Sequence, residues 1–149
     1  MDKMILLVCA KLNDIFHQGR NFNWIKPDSC PRCASTRVWG HGYVTAYFDG
    51  FAHGLLLRRF RCPDCHCVIR MKPKGYFRRF QATTGTIRCC IGQRLLSGRW
   101  HFAISKPRQR HWLLALKRKA MVFFGPCKNL LLAFDRLIKM GRIPVSRSI

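Results

Sequence analysis

The chain has 149 residues and a formal net charge of +22, which comes from 28 Lys or Arg and six acidic residues, all Asp. This length allows one domain of ordinary size or two small ones. A hydrophobic content of 48%, with 11 Phe, four Trp and three Tyr, excludes a disordered basic tail. A charge of one sign and this size indicates a polyanionic partner. Nucleic acid is the first expectation, and an anionic membrane surface is the alternative.

The amino-terminal residues do not resemble a secretory leader. A short apolar run from Met4 to Ala10 is ended by Lys11, whereas a signal peptide needs a longer apolar region and a membrane span needs about 20 apolar residues. We therefore expect a cytoplasmic, nucleoid-associated protein with no membrane partner. In that compartment the nine cysteines are expected to be reduced thiols or metal ligands.

Residues 1–24 are predicted to form an amino-terminal helix and a connector. Ile5, Val8, Leu12 and Phe16 lie near helical spacing within residues 4–17, which favours a short helix there. The segment from Asn21 to Asp28 contains a proline and reads as the connector.

Residues 25–80 are predicted to form a zinc ribbon. Two C-P-x-C turns, with 28 residues between Cys33 and Cys62, offer four thiolates in the arrangement that a tetrahedral zinc ion prefers. The cofactor expected is one structural Zn²⁺, with ligands Cys30, Cys33, Cys62 and Cys65. A disulfide, a redox pair and Cys67 as a competing ligand are the alternatives. His41, His53 and His66 are expected to be loop or turn residues, with His66 suited to a left-handed backbone conformation.

Three strands are expected around these turns. Tyr43–Phe48 and Leu55–Arg61 are rich in strand formers and are joined by a loop that starts with Asp49-Gly50, which indicates a hairpin. Val68–Met71 is the third strand of the predicted antiparallel sheet. So small a sheet has little core, and the metal is expected to supply much of its folding energy.

Residues 81–149 are predicted to form a basic bundle of three helices. The first starts after Thr83 and ends at Ser97-Gly98; the second has Ser105 as N-cap and ends at Gly125; the third runs from about Lys128 to Met140. Residues 66–149 carry 19 basic side chains and only Asp135 as an acid, net +18. The fold class expected is therefore α+β, with a four-cysteine zinc ribbon on a three-stranded antiparallel sheet followed by a three-helix, helix-turn-helix-like bundle.

Twelve basic residues are predicted to contact nucleic acid. They lie on the ribbon and its exit, where aromatic residues alternate with them, and along the second helix, where a basic amino-terminal half suits the major groove. They are Arg58, Arg59, Arg61, Lys72, Lys74, Arg78, Arg79, Lys106, Arg108, Arg110, Lys117 and Arg118.

Four motifs resemble those of a known family. The motifs are Trp39-Gly40-His41-Gly42, Tyr47-Phe48-Asp49-Gly50-Phe51, Arg61-Cys62-Pro63-Asp64-Cys65 and Arg108-Gln109-Arg110-His111-Trp112. With them the chain resembles the zinc-ribbon, helix-turn-helix proteins associated with bacterial insertion sequences. It is similar to the DNA-binding amino-terminal regions of their transposases. Such ribbons often carry glycine directly after each C-P-x-C turn, where this chain has Ala34 and His66. The resemblance implies duplex DNA binding and association with a transposon. It also implies a transposase or a second copy of the chain as further partners.

No catalytic pattern accompanies these motifs. Transposase strand transfer needs several carboxylates that hold two metal ions, but the chain has no Glu and its six Asp are scattered. We therefore expect a DNA-binding protein that is not an enzyme and has no small-molecule substrate. The alternatives are an RNA- or ribosome-binding zinc ribbon, and a subunit of a nuclease or transposase whose carboxylates lie on another chain.

Overall fold

The computed structural model describes residues 3–148. They cluster into two compact units, one up to Tyr76 and one from Phe77 onward, and each unit is described by itself. The first unit contains the cysteines of both C-P-x-C turns, and residues 3–24 belong to it. No helix within residues 3–148 has the length and apolar character that crossing a membrane requires.

The first unit is built on a four-stranded mixed sheet with the order β1-β4-β3-β2. Its strands are β1 (Lys3–Val8), β2 (Trp39–Ala46), β3 (Leu55–Arg61) and β4 (Val68–Pro73). β2 and β4 each pair antiparallel with β3, as predicted, but β1 pairs parallel with β4. A helix α1 (Leu12–Gln18) and a 3-10 turn (Gly19–Asn21) follow β1. The α+β class is confirmed, and the three-stranded antiparallel sheet was wrong by one strand.

The added strand replaces the first half of the helix predicted over residues 4–17. Side chains of β1 alternate, since Met4, Leu6 and Val8 pack into the core while Ile5 and Leu7 are 37% and 49% exposed. Short apolar runs satisfy a period of 2 and a period of 3.6 almost equally well. The open edge of β4 decides between them, because it supplies hydrogen-bond partners that an isolated helix of this length lacks.

The two faces of the sheet are covered differently. One face packs Phe60, Ile69 and Met71 with the β1 side chains and the buried cysteines Cys30 and Cys62. On the other face, α1 places Ile15 against Leu55 and Leu57, at one end of the sheet. Side chains farther along β3 and β4 on that second face are mostly basic.

The second unit contains three helices, α2 (Thr84–Ser97), α3 (Lys106–Phe124) and α4 (Leu130–Lys139). Their shared core includes Ile91 of α2, Leu116 of α3 and Phe134 of α4. The ends of α2 lie where they were predicted: the helix follows Thr83, whose hydroxyl accepts a hydrogen bond from the Thr86 amide, and Gly98 ends it in the left-handed conformation. The predicted N-cap Ser105 directly precedes α3, but its side chain makes no cap hydrogen bond to the described amides of that helix. The helical periods of α2 and α4 predict Leu95 and Ile138 on the faces toward this core, but each of the two side chains is 39% exposed.

Candidate metal centre and cationic surfaces

The four predicted ligand cysteines come together in the first unit. Their Sγ atoms all lie within 4.8 Å of one another. The closest pairs join the two turns, at 3.6 Å between Cys30 and Cys65 and 3.5 Å between Cys33 and Cys62. Four thiolates at about 2.3 Å from a zinc ion would be about 3.8 Å apart, and a disulfide would need about 2.05 Å. The four sulfur atoms therefore fit a tetrahedral metal ion and are not paired as disulfides.

Both cysteine turns have the same backbone design. The residue after each turn is left-handed, with φ 61° at Ala34 and φ 61° at His66. The first cysteine of each turn donates its amide to the carbonyl five residues on, from Cys30 to Ser35 at 2.8 Å and from Cys62 to Cys67 at 3.0 Å. The left-handed conformation predicted for His66 is confirmed. Ala34 adopts the same conformation, which has a lower energy for glycine than for alanine.

A carboxylate links the two turns to each other. Asp64, inside the second turn, accepts a hydrogen bond from the Ser35 hydroxyl and one at 3.0 Å from Nη1 of Arg37. The Ser35 hydroxyl also accepts from the Arg37 amide at 3.2 Å. These groups are exposed, so the ion pair contributes about 0–1 kcal/mol. These contacts connect the two turns, and they give Asp64, one of the six Asp residues, a structural role.

The backbone prepares Cys30 and Cys62 to ionise. At Cys33 the Ser35 amide lowers the pKa, but the neighbouring thiols, Cys62 first among them, raise it to about 12. Amides of Cys65 and Asp64 point at Sγ of Cys62 and lower the pKa of that thiol to about 7. The Arg32 amide donates to Sγ of Cys30 at 3.4 Å. Thiolates are the form that binds metal. The donor set thus fits a closed, four-sulfur site that would hold one structural ion and leave no position for water.

Cys67 lies outside this group. Its side chain is fully buried in the core beside Phe60 and Ile69, and its Sγ lies 3.8 Å from the Val68 carbonyl oxygen. Its backbone carbonyl closes the second turn, which is the position Ser35 has in the first. Within residues 3–148 the four cysteines are the one group placed to hold a metal ion.

The exposed side of α3 carries most of the basic residues predicted on it. Its buried side is formed by residues such as Trp112 and Leu116. The opposite side presents four exposed cations with Leu114 and Met121 between them; the cations are Lys106, Arg110, Lys117 and Arg118. A groove of about 450 Å³ between α3 and the end of α2 is lined by Arg94, Trp100, Arg110 and Lys117 among others. Arg108 lies elsewhere, half-buried with its guanidinium carbon 5.2 Å from the centre of the Trp112 ring.

A buried glutamine shapes the connection between α2 and α3, and sequence analysis missed it. Gln109 is 2% exposed. Its Oε1 accepts from the His101 amide at 2.9 Å, and its Nε2 donates to the carbonyls of His101 at 2.8 Å and Ile104 at 2.7 Å. The Gln109 side chain therefore supplies three hydrogen bonds to residues 98–105, which belong to no helix or strand. The sequence contained one signal for this role: the helical period of α3 places Gln109, a polar residue, on the apolar side of the helix.

The basic residues of the ribbon and its exit have four different environments. Arg58 lies over the Tyr43 ring at 4.8 Å and the Phe60 ring at 5.5 Å, so it packs against the sheet. Lys72 is only 6% exposed, which removes it from the surface that a polyanion can reach. Arg59 and Arg61 are half-buried, and the remaining predicted contacts at the ribbon exit are exposed, namely Lys74, Arg78 and Arg79.

The aromatic residues among these cations are mainly core residues. Phe60 is 4% exposed, Tyr76 packs on Phe48 with ring centres 4.8 Å apart, and Phe77 packs on Phe80 at 5.9 Å. Aromatic surface is found instead at Trp39, Tyr47 and Phe102, which are 51%, 64% and 96% exposed. These three rings are the better candidates for contact with bases.

Comparisons with protein-family models, with curated proteins and with solved structures find no match to this chain. Its function is therefore argued from the two features above, the four-cysteine centre and the cationic surfaces.

Proposed function

We propose that this protein is a zinc-containing, non-catalytic DNA-binding protein, related to the proteins of mobile elements that its four motifs resemble. The observation that carries the proposal is the exposed side of α3. Four cations on one helix face, within a half of the chain that has net charge +18, form the kind of surface that neutralises several phosphates at once.

The geometry around α3 supports a helix-turn-helix-like use of this surface. α2 ends at Ser97, and α3 begins at Lys106, so eight residues connect them, more than in a compact turn. Gln109 holds that connection through three hydrogen bonds. A fixed connection keeps the amino-terminal half of α3 in one position, as insertion into a groove requires.

The metal has a folding role in this proposal. A closed four-thiolate site has no open coordination position, so a zinc ion there would stabilise the first unit and would not activate water. Its free energy of binding, about 10–16 kcal/mol for structural zinc, is comparable to the whole stability of a small domain. Cys62→Ser is expected to abolish zinc binding and unfold the first unit. Cys67→Ala and Cys127→Ser are expected to retain one zinc per chain.

The DNA proposal is tested by titrating a short duplex with the whole zinc-loaded protein at several salt concentrations. Arg110→Ala/Lys117→Ala is compared with Lys128→Ala/Lys139→Ala, which removes two exposed charges from the same unit but not from α3. The α3 pair should flatten the slope of log affinity against log salt by about one per lost phosphate contact. Equal losses from both pairs would reject α3 as the interface. Structured RNA that outcompetes the duplex would favour the RNA- or ribosome-binding alternative.

A further inference from the structure

Two arginines lie side by side on the second face of the sheet. Arg59 of β3 and Arg70 of β4 are directly opposite each other in the antiparallel pairing, so their side chains leave the same face about 5 Å apart. The Nε atoms of both are buried and have no hydrogen-bond partner within residues 3–148. No carboxylate of the described residues pairs with either guanidinium, because the ion pairs there join Arg37 to Asp64 and Arg88 to Asp135.

This arrangement is unfavourable for folding alone. Like charges opposite each other in a sheet repel, and a buried N–H without an acceptor has lost its water. Burial together with the charge of Arg59 lowers the pKa of Arg70. An anion between the two guanidiniums would remove both penalties, the repulsion and the unpaired buried N–H groups.

An irregular part of β2 lies beside one member of this pair. The register of β2 against β3 shifts between Gly40 and Tyr43, and Gly42 lies there with φ 71°. A Cβ atom at Gly42 would be 3.7 Å from Nη2 of Arg59. On the opposite face, a Cβ atom at Gly40 would overlap Nη2 of Arg58. The Trp39-Gly40-His41-Gly42 motif therefore contains an irregularity of β2 in which Gly40 leaves space for Arg58 on one face and Gly42 borders Arg59 on the other.

An aromatic ring and a third arginine stand beside the pair. Trp39 is directly opposite Arg61 in the β2–β3 pairing, and Arg61 is two residues from Arg59, on the same face of β3. Trp39 is 51% exposed. Arg61 lies with Nη2 3.5 Å from Nδ1 of His66. A row of guanidiniums beside an exposed indole on a sheet face suits a strand whose bases are unpaired, since a duplex hides the faces of its bases.

We propose that this face binds single-stranded nucleic acid, with one phosphodiester held by Arg59 and Arg70 and a neighbouring base stacked on Trp39. The site is distinct from α3, and it shares with the proposed function only the class of partner. The chemistry it recognises is an unesterified or diester phosphate next to a planar base. Free phosphate and a nucleic-acid strand are therefore compared in the test.

The probe is a fluorescein-labelled oligothymidine, titrated with the whole zinc-loaded protein and followed by anisotropy. Arg59→Gln/Arg70→Gln is expected to lower the affinity by about tenfold or more, since two charge-assisted hydrogen-bond donors are lost. Its thermal unfolding midpoint should rise, because the repulsion and the buried unpaired N–H groups are removed. Trp39→Ala should weaken oligothymidine by roughly 5- to 150-fold and leave competition by inorganic phosphate unchanged.

The control is Lys11→Gln/Lys26→Gln, which removes two exposed charges from the same unit. The inference is overturned if this control lowers the affinity as much as the arginine pair does, or if the arginine variant unfolds at a lower temperature and binds as the parent does. Duplex binding should change less than twofold in the arginine variant. Loss of duplex binding with oligothymidine unaffected would assign this face to duplex DNA and overturn the inference, whereas a parent protein that binds neither probe would reject this site and the proposed function together.

Discussion

Replacing Gln109 by Ala removes the three hydrogen bonds that hold the α2–α3 connection to α3. The side chain is 2% exposed, and its partners are the His101 amide and the carbonyls of His101 and Ile104. Each bond contributes about 0.5–1.5 kcal/mol, and a buried group left unpaired costs more. Because His101 and Ile104 are half-buried, water can reach part of the gap. We expect the connection to lose about 2–4 kcal/mol of local stability.

Amide hydrogen exchange measures this loss at the residues concerned. A change of about 2 kcal/mol corresponds to roughly 30-fold faster exchange, and the His101 amide, which donates to Oε1 of Gln109, should show it first. The Ala103 amide donates to Nδ1 of His101 at 3.1 Å and should follow. Amides in the middle of α3 should be affected much less.

Gln93→Ala is the matched control, because it is the same substitution in the neighbouring helix at a half-buried position. It should leave exchange at His101 unchanged. The interpretation of Gln109 as the support of the connection would be refuted by equal exchange at His101 in the parent and in Gln109→Ala. It would also be refuted by equal acceleration in both variants, which would indicate a general loss of helix stability.

Two further predictions concern the cysteine turns and the helical unit. Ala34→Gly should stabilise the first unit by about 0.5–1 kcal/mol, because a φ of 61° is costly for Ala and not for Gly. The control Ala46→Gly, in β2, should destabilise the same unit. The prediction is contradicted if denaturant unfolding shows that both variants change the free energy of unfolding in the same direction. Asp135→Asn breaks the pair with Arg88, whose Nε and Nη2 lie 2.9 and 2.8 Å from the carboxylate, at a cost of about 0–1 kcal/mol since both side chains are 44% exposed. Arg88 lowers the pKa of Asp135, so the ion pair stabilises the fold at neutral pH. This stabilisation is lost as the pH falls below about 4, through the folded-state pKa. A difference in unfolding midpoint between parent and variant that persists at lower pH would argue against the pair.

Features that depend on local chemistry were predicted well from the sequence. Thr83 and Gly98 end α2 where their side-chain and backbone preferences require it. The two C-P-x-C turns bring four thiols within reach of one ion, because each turn needs only its own residues to adopt its shape. His66 takes the left-handed conformation for the same local reason.

Features that depend on distant partners were not predicted. The segment Lys3–Val8 becomes a strand because β4 offers it an edge, 65 residues away at Lys3 and Val68. Gln109 is buried because the connection ahead of α3 needs hydrogen-bond donors and acceptors. Neither partner can be identified from the residues next to it in sequence, since a hydrophobic run or a glutamine is compatible with several environments.

The basic residues show most clearly what can be predicted from the sequence and what depends on distant partners. Composition counts every cation as equal, but the fold separates them: Lys119 is 2% exposed and donates to the Ile143 carbonyl at 2.5 Å, so it holds the chain after α4 against α3. Lys72 is also buried, whereas Arg110 and Lys117 are fully available to a partner. A basic sequence therefore indicates the class of partner, and only burial identifies the cations that can meet it.

The metal centre and the arginine pair are connected through the strands that carry them. β3 ends at Arg61, directly before the ligand Cys62, and β4 begins at Val68, directly after the second turn. Closing that turn around an ion sets the register in which Arg59 faces Arg70. The sheet is too small to fix this register by apolar burial alone, so the free energy of metal binding also opposes the repulsion between the two guanidiniums. In this architecture a metal ion held by the four cysteines would stabilise a charged face that the polypeptide alone would hold poorly, and it would in that way support the proposed binding of an anion.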